Sequence, residues 1–215
     1  MKDGARVETI LKLLKKNYPH AQIILKYGNP WELLVSVILS AQCTDIVVNK
    51  VTYKLFKKYP KFENYIHAVL YEFEQDIKST GFYHNKARNI LAAAKLISEK
   101  FGGIVPKTMD ELLTVPGVAR KTANVVLGNA YRVVEGIAVD THVLRLSQRL
   151  GLVHGDFKKD ADPVKIEKQL MAVIPKEDWF RVTYLLIDHG RAVCRAQHPD
   201  CGHCVLNQLC PASQV

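Results

Sequence analysis

Val115-Pro-Gly-Val-Ala-Arg-Lys-Thr-Ala-Asn-Val-Val-Leu127 brings a tight turn, a helix start and a lysine into thirteen residues. Just before it, Thr108-Met-Asp-Glu111 has the form of a capping box, which predicts a short helix over Met109 to Thr114 with Leu112 and Leu113 turned inward. Pro116-Gly117 ends that helix, since proline does not continue it and glycine can take φ > 0. The chain then enters a second helix from about Ala119 to Ala130, on which Ala123, Val126 and Leu127 form an apolar stripe. This is a helix-hairpin-helix. Its exposed amides and the positive end of the second helix suit a phosphate, with Arg120 and Lys121 adding full charges beside them. Such a hairpin holds a nucleic acid backbone without reading sequence.

A basic pair at a helix start is ordinarily a solvated face, and Lys121 taken alone is read that way. Its surroundings point elsewhere, because a neighbouring cation and the positive end of a helix both favour the neutral, nucleophilic amine. Val139-Asp140-Thr141-His142-Val143 places a carboxylate at the start of another helix. In isolation, Asp140 is an N-cap for Thr141 to Leu150.

At 215 residues and 48% hydrophobic content, the chain can bury one large core or two modest ones. Lys and Arg outnumber Asp and Glu, 30 against 21, giving a net charge of +9 and a pI near 9.3. That balance favours a polyanionic partner, although charge alone also serves solubility. The longest apolar segment, Trp31 to Ala41, is broken by Glu32, Ser36 and Ser40, so neither a membrane span nor a secretory signal is read. Four of the five cysteines fall in the last 22 residues. This local cluster suits a metal better than disulfides spread through a secreted fold, and implies a reducing interior such as the cytoplasm.

In chain order, Val7, Ile10, Leu11 and Leu14 mark a first amphipathic helix ending at Tyr18-Pro19. Asn29-Pro30 caps a nearly all-apolar helix, Trp31 to Leu39, of the kind found in the middle of a bundle. Thr44 caps the next, to about Lys58. Between them lies Gln42, either a turn residue bonding local backbone or a functional group, and Cys43, read as a buried, inert small hydrophobe. Two short helices span Phe62 to Leu70 and Glu72 to Lys78. Gly81 then marks a tight turn before a helix from Lys86 to Phe101 that ends at Gly102-Gly103. Phe82 on this turn packs on the core by default. Asp162-Pro163 opens a helix to about Ile174, and Trp179 to Ala192 forms the last long one. No strand-period segment, repeat or disordered linker is found, which predicts an all-α protein of about ten helices.

Cys194-x6-Cys201-x2-Cys204-x5-Cys210 sets four thiolates in 17 residues directly after a helix. All-cysteine zinc sites usually use two C-x2-C pairs, whereas an iron–sulfur cube accepts uneven spacing, so spacing alone tilts modestly toward iron and sulfur.

The hairpin with Lys121, the Val139-Asp140-Thr141-His142 segment and the cysteine run together closely resemble the endonuclease III family of DNA glycosylases and abasic-site lyases, over about Leu11 to Cys210. The resemblance implies a two-lobed helix-hairpin-helix glycosylase fold with a C-terminal iron–sulfur loop. One lobe is a helical barrel-like domain at 22–132; the other, the cluster domain, comprises 1–21 and 133–215, and the active site lies between them. It further implies a 4Fe–4S cluster on Cys194, Cys201, Cys204 and Cys210, and catalysis by Lys121 and Asp140. DNA contacts are implied at Gln42, Phe82, Val115, Gly117, Ala119, Arg120, Thr122 and His142, Gln42 reaching into the duplex and Phe82 wedging the stack. The substrate implied is double-stranded DNA with oxidised or ring-saturated pyrimidines or abasic sites, bound by a monomer. Two positions depart from the family pattern: Ala119 stands where glycine is more usual, and the loop Arg195 to Asp200 carries a single Arg and a closing Asp.

The chemistry this implies is base excision with strand cleavage by β-elimination 3′ to the lesion. Two other readings are compatible with parts of the sequence. A related adenine-mismatch glycosylase shares hairpin, Asp and cluster, but lacks this lysine and carries a further C-terminal domain, against which a chain ending at Val215 argues. A non-enzymatic DNA-binding module with a structural or redox cluster accounts for charge and hairpin but leaves Lys121 and Asp140 coincidental.

Overall fold

The computed structural model describes residues 3–155 and 162–215, and among these it contains eleven α-helices and no strand. They are α1 (Asp3–Asn17), α2 (Pro30–Leu39), α3 (Asp45–Lys58), α4 (Phe62–Ile66), α5 (Leu70–Ile77), α6 (Tyr83–Phe101), α7 (Met109–Leu113), α8 (Arg120–Val126), α9 (Thr141–Arg149), α10 (Pro163–Val173) and α11 (Trp179–Ala192). The chain divides into two compact units, one of residues 24–135 and the other of residues 1–23 with 136–215.

In the 24–135 unit, α2 is the central element. Asn29 Oδ1 accepts from Glu32 N at 2.9 Å and Pro30 occupies the first turn, so the helix starts where its sequence says it should. Eight of its ten residues are buried, and it packs against α3, α6 and α8. Each buried large aliphatic side chain contributes about 1.5–3 kcal/mol, which makes this helix the main apolar anchor of the unit. Trp31 meets Phe62 and Tyr65 edge-on at 5.0 and 5.2 Å, and Tyr65 and Tyr59 both meet Phe73.

Several local expectations are corrected here. Helix α6 begins at Tyr83, three residues before Lys86, because Phe82 takes the left-handed conformation (φ +48) and turns the chain directly into the helix. Leu113 is 42% exposed: α7 has only five residues, and it is Met109 and Leu112, three apart, that face inward. Thr44 sits at the N-cap of α3 without a side-chain cap bond. Cys43 is half-buried rather than buried. Finally, α8 does not run on as α-helix to Ala130 but passes into a π-helical turn, Leu127–Tyr131, closed by Arg132 at φ +58.

The other unit packs α1 against α11 and α11 against α9. The stripe Val7, Ile10, Leu11 and Leu14 is buried together with Val143, Leu146, Ile166, Leu170, Val182, Leu185 and Leu186. A Cβ built on Gly190 would lie 2.7 Å from His142 Nδ1 and 3.2 Å from Leu146 Cδ1, so glycine is what allows α9 and α11 to approach this closely. Arg6 on α1 donates to the carbonyls of Leu150, Gly151 and Leu209, tying the first helix to the end of α9 and to the cysteine loop.

Candidate active site

Helices α7 and α8 form the expected hairpin. Thr108 Oγ1 accepts from Glu111 N at 3.4 Å and donates to Glu111 Oε2 at 2.8 Å, one arm of the capping box. Thr114 N donates to Glu111 O, Val115 N to Leu112 O and Val118 N to Val115 O, closing the turn on itself. Gly117 has φ +79, and a Cβ there would stand 2.9 Å from Asn89 Cβ, so the turn requires glycine on both counts. Ala119 takes an extended N-cap conformation, φ −98 and ψ 171, which alanine adopts without strain. Lys121 is half-buried in the first turn of α8. Val115 and Thr122, 2% and 9% exposed, belong to the packed frame of the hairpin.

Gln42 and Phe82 are brought together. Both line one cleft with Ile38, Asn85, Lys86 and the hairpin glycine Gly117. Each is exposed, and each is held in the left-handed region, at φ +52 and +48. Backbone conformations of this kind in residues other than glycine persist only where the surroundings impose them. Phe82 does not pack on the core; it is 66% exposed.

Asp140, in the unit of residues 1–23 and 136–215, is the N-cap of α9: its Oδ1 accepts from both His142 N and Val143 N at 2.8 Å. The second carboxylate oxygen, Oδ2, takes no part in the cap. His142 is half-buried, with Nδ1 3.2 Å from Arg145 Nη2 and its ring against Gly190 of α11.

All four C-terminal cysteines line a single cavity behind α9 and α11, together with Arg149, His189 and Leu150. None forms a disulfide. Among the described residues no three metal-ligating side chains are drawn tightly enough together to hold a bare ion; the sulfurs surround a space instead. Burial pushes the Cys204 and Cys210 thiols up, and the negative charge of the other thiolates adds to it, so ionised sulfurs here require a positive charge in their midst. Donors are aimed at them: Arg149 Nη1 lies 3.2 Å from Cys194 Sγ, Leu206 N 3.4 Å from Cys204 Sγ and His189 Nε2 3.5 Å from the same sulfur. Burial pushes His189 down to about 4, which keeps its ring neutral near pH 7. Its Nδ1 meets Tyr18 Oη at 3.0 Å, and donation by that hydroxyl leaves the proton on Nε2, facing Cys204. Sulfurs arranged around a space, with N–H donors around them, fit an iron–sulfur cube.

Sequence reasoning missed Lys86, Arg149 and His189. Lys86 is only 5% exposed, and its position beside Ala87 and four residues before Ile90, in register with an apolar stripe, was the available signal. Arg149 spans to Arg195 O and Ala196 O at 2.7 and 2.8 Å, fixing the first stretch of the cysteine loop to α9, a long-range contact that no local pattern announces.

Residues 35–176 match the family model of the HhH-GPD superfamily base excision DNA repair proteins, so fold and hairpin define a DNA repair protein of that class. Endonuclease III of Synechocystis sp. is 53% identical over 210 residues, which is 98% of this chain and 94% of that protein. A solved non-covalent endonuclease III–DNA complex has a TM-score of 0.91 and 46% identity, covering 99% of this chain and 97% of its own. The structure of a trapped endonuclease III–DNA covalent intermediate matches with the same score, identity and coverage. The chain belongs to the endonuclease III family.

Proposed function

We propose that this chain is a bifunctional DNA glycosylase and abasic-site lyase of base excision repair, acting on oxidised pyrimidines in double-stranded DNA, with Lys121 as nucleophile and Asp140 as its carboxylate partner. The observation that carries this reading is Lys121 itself: an amine half-buried at the first turn of α8, in a chain 46% identical to an endonuclease III caught in a covalent DNA intermediate.

The damaged nucleotide leaves the stack. The Lys121 amine attacks C1′, the bond from C1′ to the base breaks, and the base departs with that electron pair and takes up a proton. Asp140 Oδ2, outside the helix cap, accepts a proton from the amine or stabilises positive charge on the sugar. With one proton still on the nitrogen, the C1′–O4′ bond opens and O4′ takes up a proton, leaving an iminium that acidifies C2′. Removal of a C2′ proton expels the 3′ phosphate oxygen, cutting the strand 3′ to the lesion. Gln42 and Phe82 fill the space the nucleotide vacates, while the amides of the hairpin and Arg120 hold phosphate. The net charge of +9 favours the polyanion.

Cys194, Cys201, Cys204 and Cys210 hold a 4Fe–4S cluster in this reading. When bound, the cluster supplies four iron–thiolate bonds and a positive centre that fix the loop. Free thiols throughout fit a reducing cytoplasm, where the enzyme works as a monomer on the nucleoid. No helix among the described residues is long and apolar enough to cross a membrane.

Borohydride reduction on a duplex with one abasic site tests the reading. The protein is expected to become covalently attached, and Lys121→Gln to lose both attachment and strand cleavage while still binding duplex. An adduct formed undiminished by Lys121→Gln assigns the chemistry to another amine.

A further inference from the structure

We propose that Lys86 is a positioning residue that locks the Gln42 and Phe82 loops to one another, so that the two side chains enter a gap in the duplex as a single preset device. The proposal rests on the reading of Gln42 and Phe82 given above.

The buried Lys86 ammonium donates to Leu39 O and to Thr80 O, both at 2.8 Å. Leu39 is the last residue of α2, three before Gln42; Thr80 stands two before Phe82. Other hydrogen bonds near these residues are local to one loop or the other: Ser40 Oγ to Val37 O and Cys43 N to Ser40 O in the first, Thr80 Oγ1 to Ile77 O and Gly81 N to Lys78 O in the second. Among the described residues, Lys86 is the side chain whose hydrogen bonds span both. It also lines the cleft shared by Gln42, Phe82 and Gly117.

Two non-glycine residues in left-handed backbone conformations, one on each side of the same cation, need an external constraint to stay there. A buried ammonium is an expensive way to fill space, since desolvation opposes the charge and an apolar side chain of equal length packs without that cost. Burial does push the Lys86 pKa below the ordinary lysine value. What the cation provides and an apolar residue cannot is simultaneous donation to carbonyls from two separate segments. Lys86 therefore makes the geometry of one loop conditional on that of the other.

The test uses the full-length, cluster-loaded protein and two duplexes, one undamaged and one carrying a single tetrahydrofuran abasic analogue, and reads the ratio of their dissociation constants. Gln42→Ala and Phe82→Ala are each expected to lower this ratio by about tenfold, the size of one lost buried contact. Lys86→Met lowers it by a similar factor with little change on undamaged duplex. Adding Gln42→Ala or Phe82→Ala to Lys86→Met then costs less than about twofold more, because side chains no longer preset have little left to lose. Lys86→Gln, which keeps an amide donor but reaches one carbonyl at most, gives the same non-additivity should the Met variant not fold. Losses that multiply overturn the proposal. So does an equal loss of the ratio in Phe73→Leu, a core variant of the same unit brought to the same Tm, since Lys86 is then merely structural. If Gln42→Ala and Phe82→Ala leave the ratio untouched, it is their gap-filling role that fails.

Discussion

Both amides capped by Asp140 bond to the same oxygen, Oδ1, which leaves Oδ2 for the chemistry proposed for this carboxylate. Asp140→Asn keeps a capping oxygen in the same place. Its Tm is expected to change by no more than about 1 kcal/mol's worth of stability, since asparagine caps as well as aspartate. The single-turnover rate of base release should nevertheless fall about 10²–10⁴-fold, the ordinary contribution of a placed acid–base or charge-stabilising group. A variant that melts earlier but releases base at the wild-type rate would confine Asp140 to its helix. Residue-scale features were unequally legible. Asp140 announced its cap because capping is local, whereas Lys86 and His189 act through carbonyls and sulfurs 47 and 15 residues away, and a sequence window does not see such partners.

Among the elements, the hairpin is the one whose shape follows most directly from its residues. Gly117→Ala places a Cβ against Asn89 and forces a left-handed alanine, and is expected to cost about 1–3 kcal/mol in urea unfolding while weakening binding to any duplex, damaged or not. A selective loss on damaged duplex alone would remove the hairpin from phosphate binding and give it a part in lesion recognition. Helix starts set by side-chain caps, such as Asn29 and Asp162, could be read from sequence. The start of α6 could not, because it depends on Phe82 holding a left-handed conformation that sequence gives no reason to expect. The π-helical turn at Leu127–Tyr131 was likewise silent: its composition suits an α-helix, and the Tyr131 hydroxyl bond to Val105 O that accompanies it comes from 26 residues away.

For the molecule as a whole, the loop of four cysteines is too short to make a core, so its order is expected to depend on ligation. Purified protein should be brown, with iron and inorganic sulfide in equal amounts and no stoichiometric zinc. Cys204→Ser should lose colour and lower the Tm, while molecules that retain the cluster keep their rate, since the proposed mechanism gives no cysteine a part in base release. Colourless, fully active protein holding one zinc would replace the cofactor and leave the Lys121 chemistry standing. The all-helical character was plain from periodicity, because strands leave a different period and none was present.

One consequence concerns time rather than space. The unit of residues 24–135 is contiguous in the chain, whereas the other is assembled from two ends separated by that whole stretch. At ordinary translation speeds of about 5–20 residues per second, α1 waits roughly ten seconds after leaving the ribosome before the first residues that cover Val7, Ile10, Leu11 and Leu14 are made. Every residue of that compact unit is made meanwhile. The cysteine loop follows later still, and Arg6 meets Leu209 only then. On the proposed reading, the hairpin, Lys121 and the Gln42 and Phe82 loops are thus all synthesised before the cysteine loop that would take up iron.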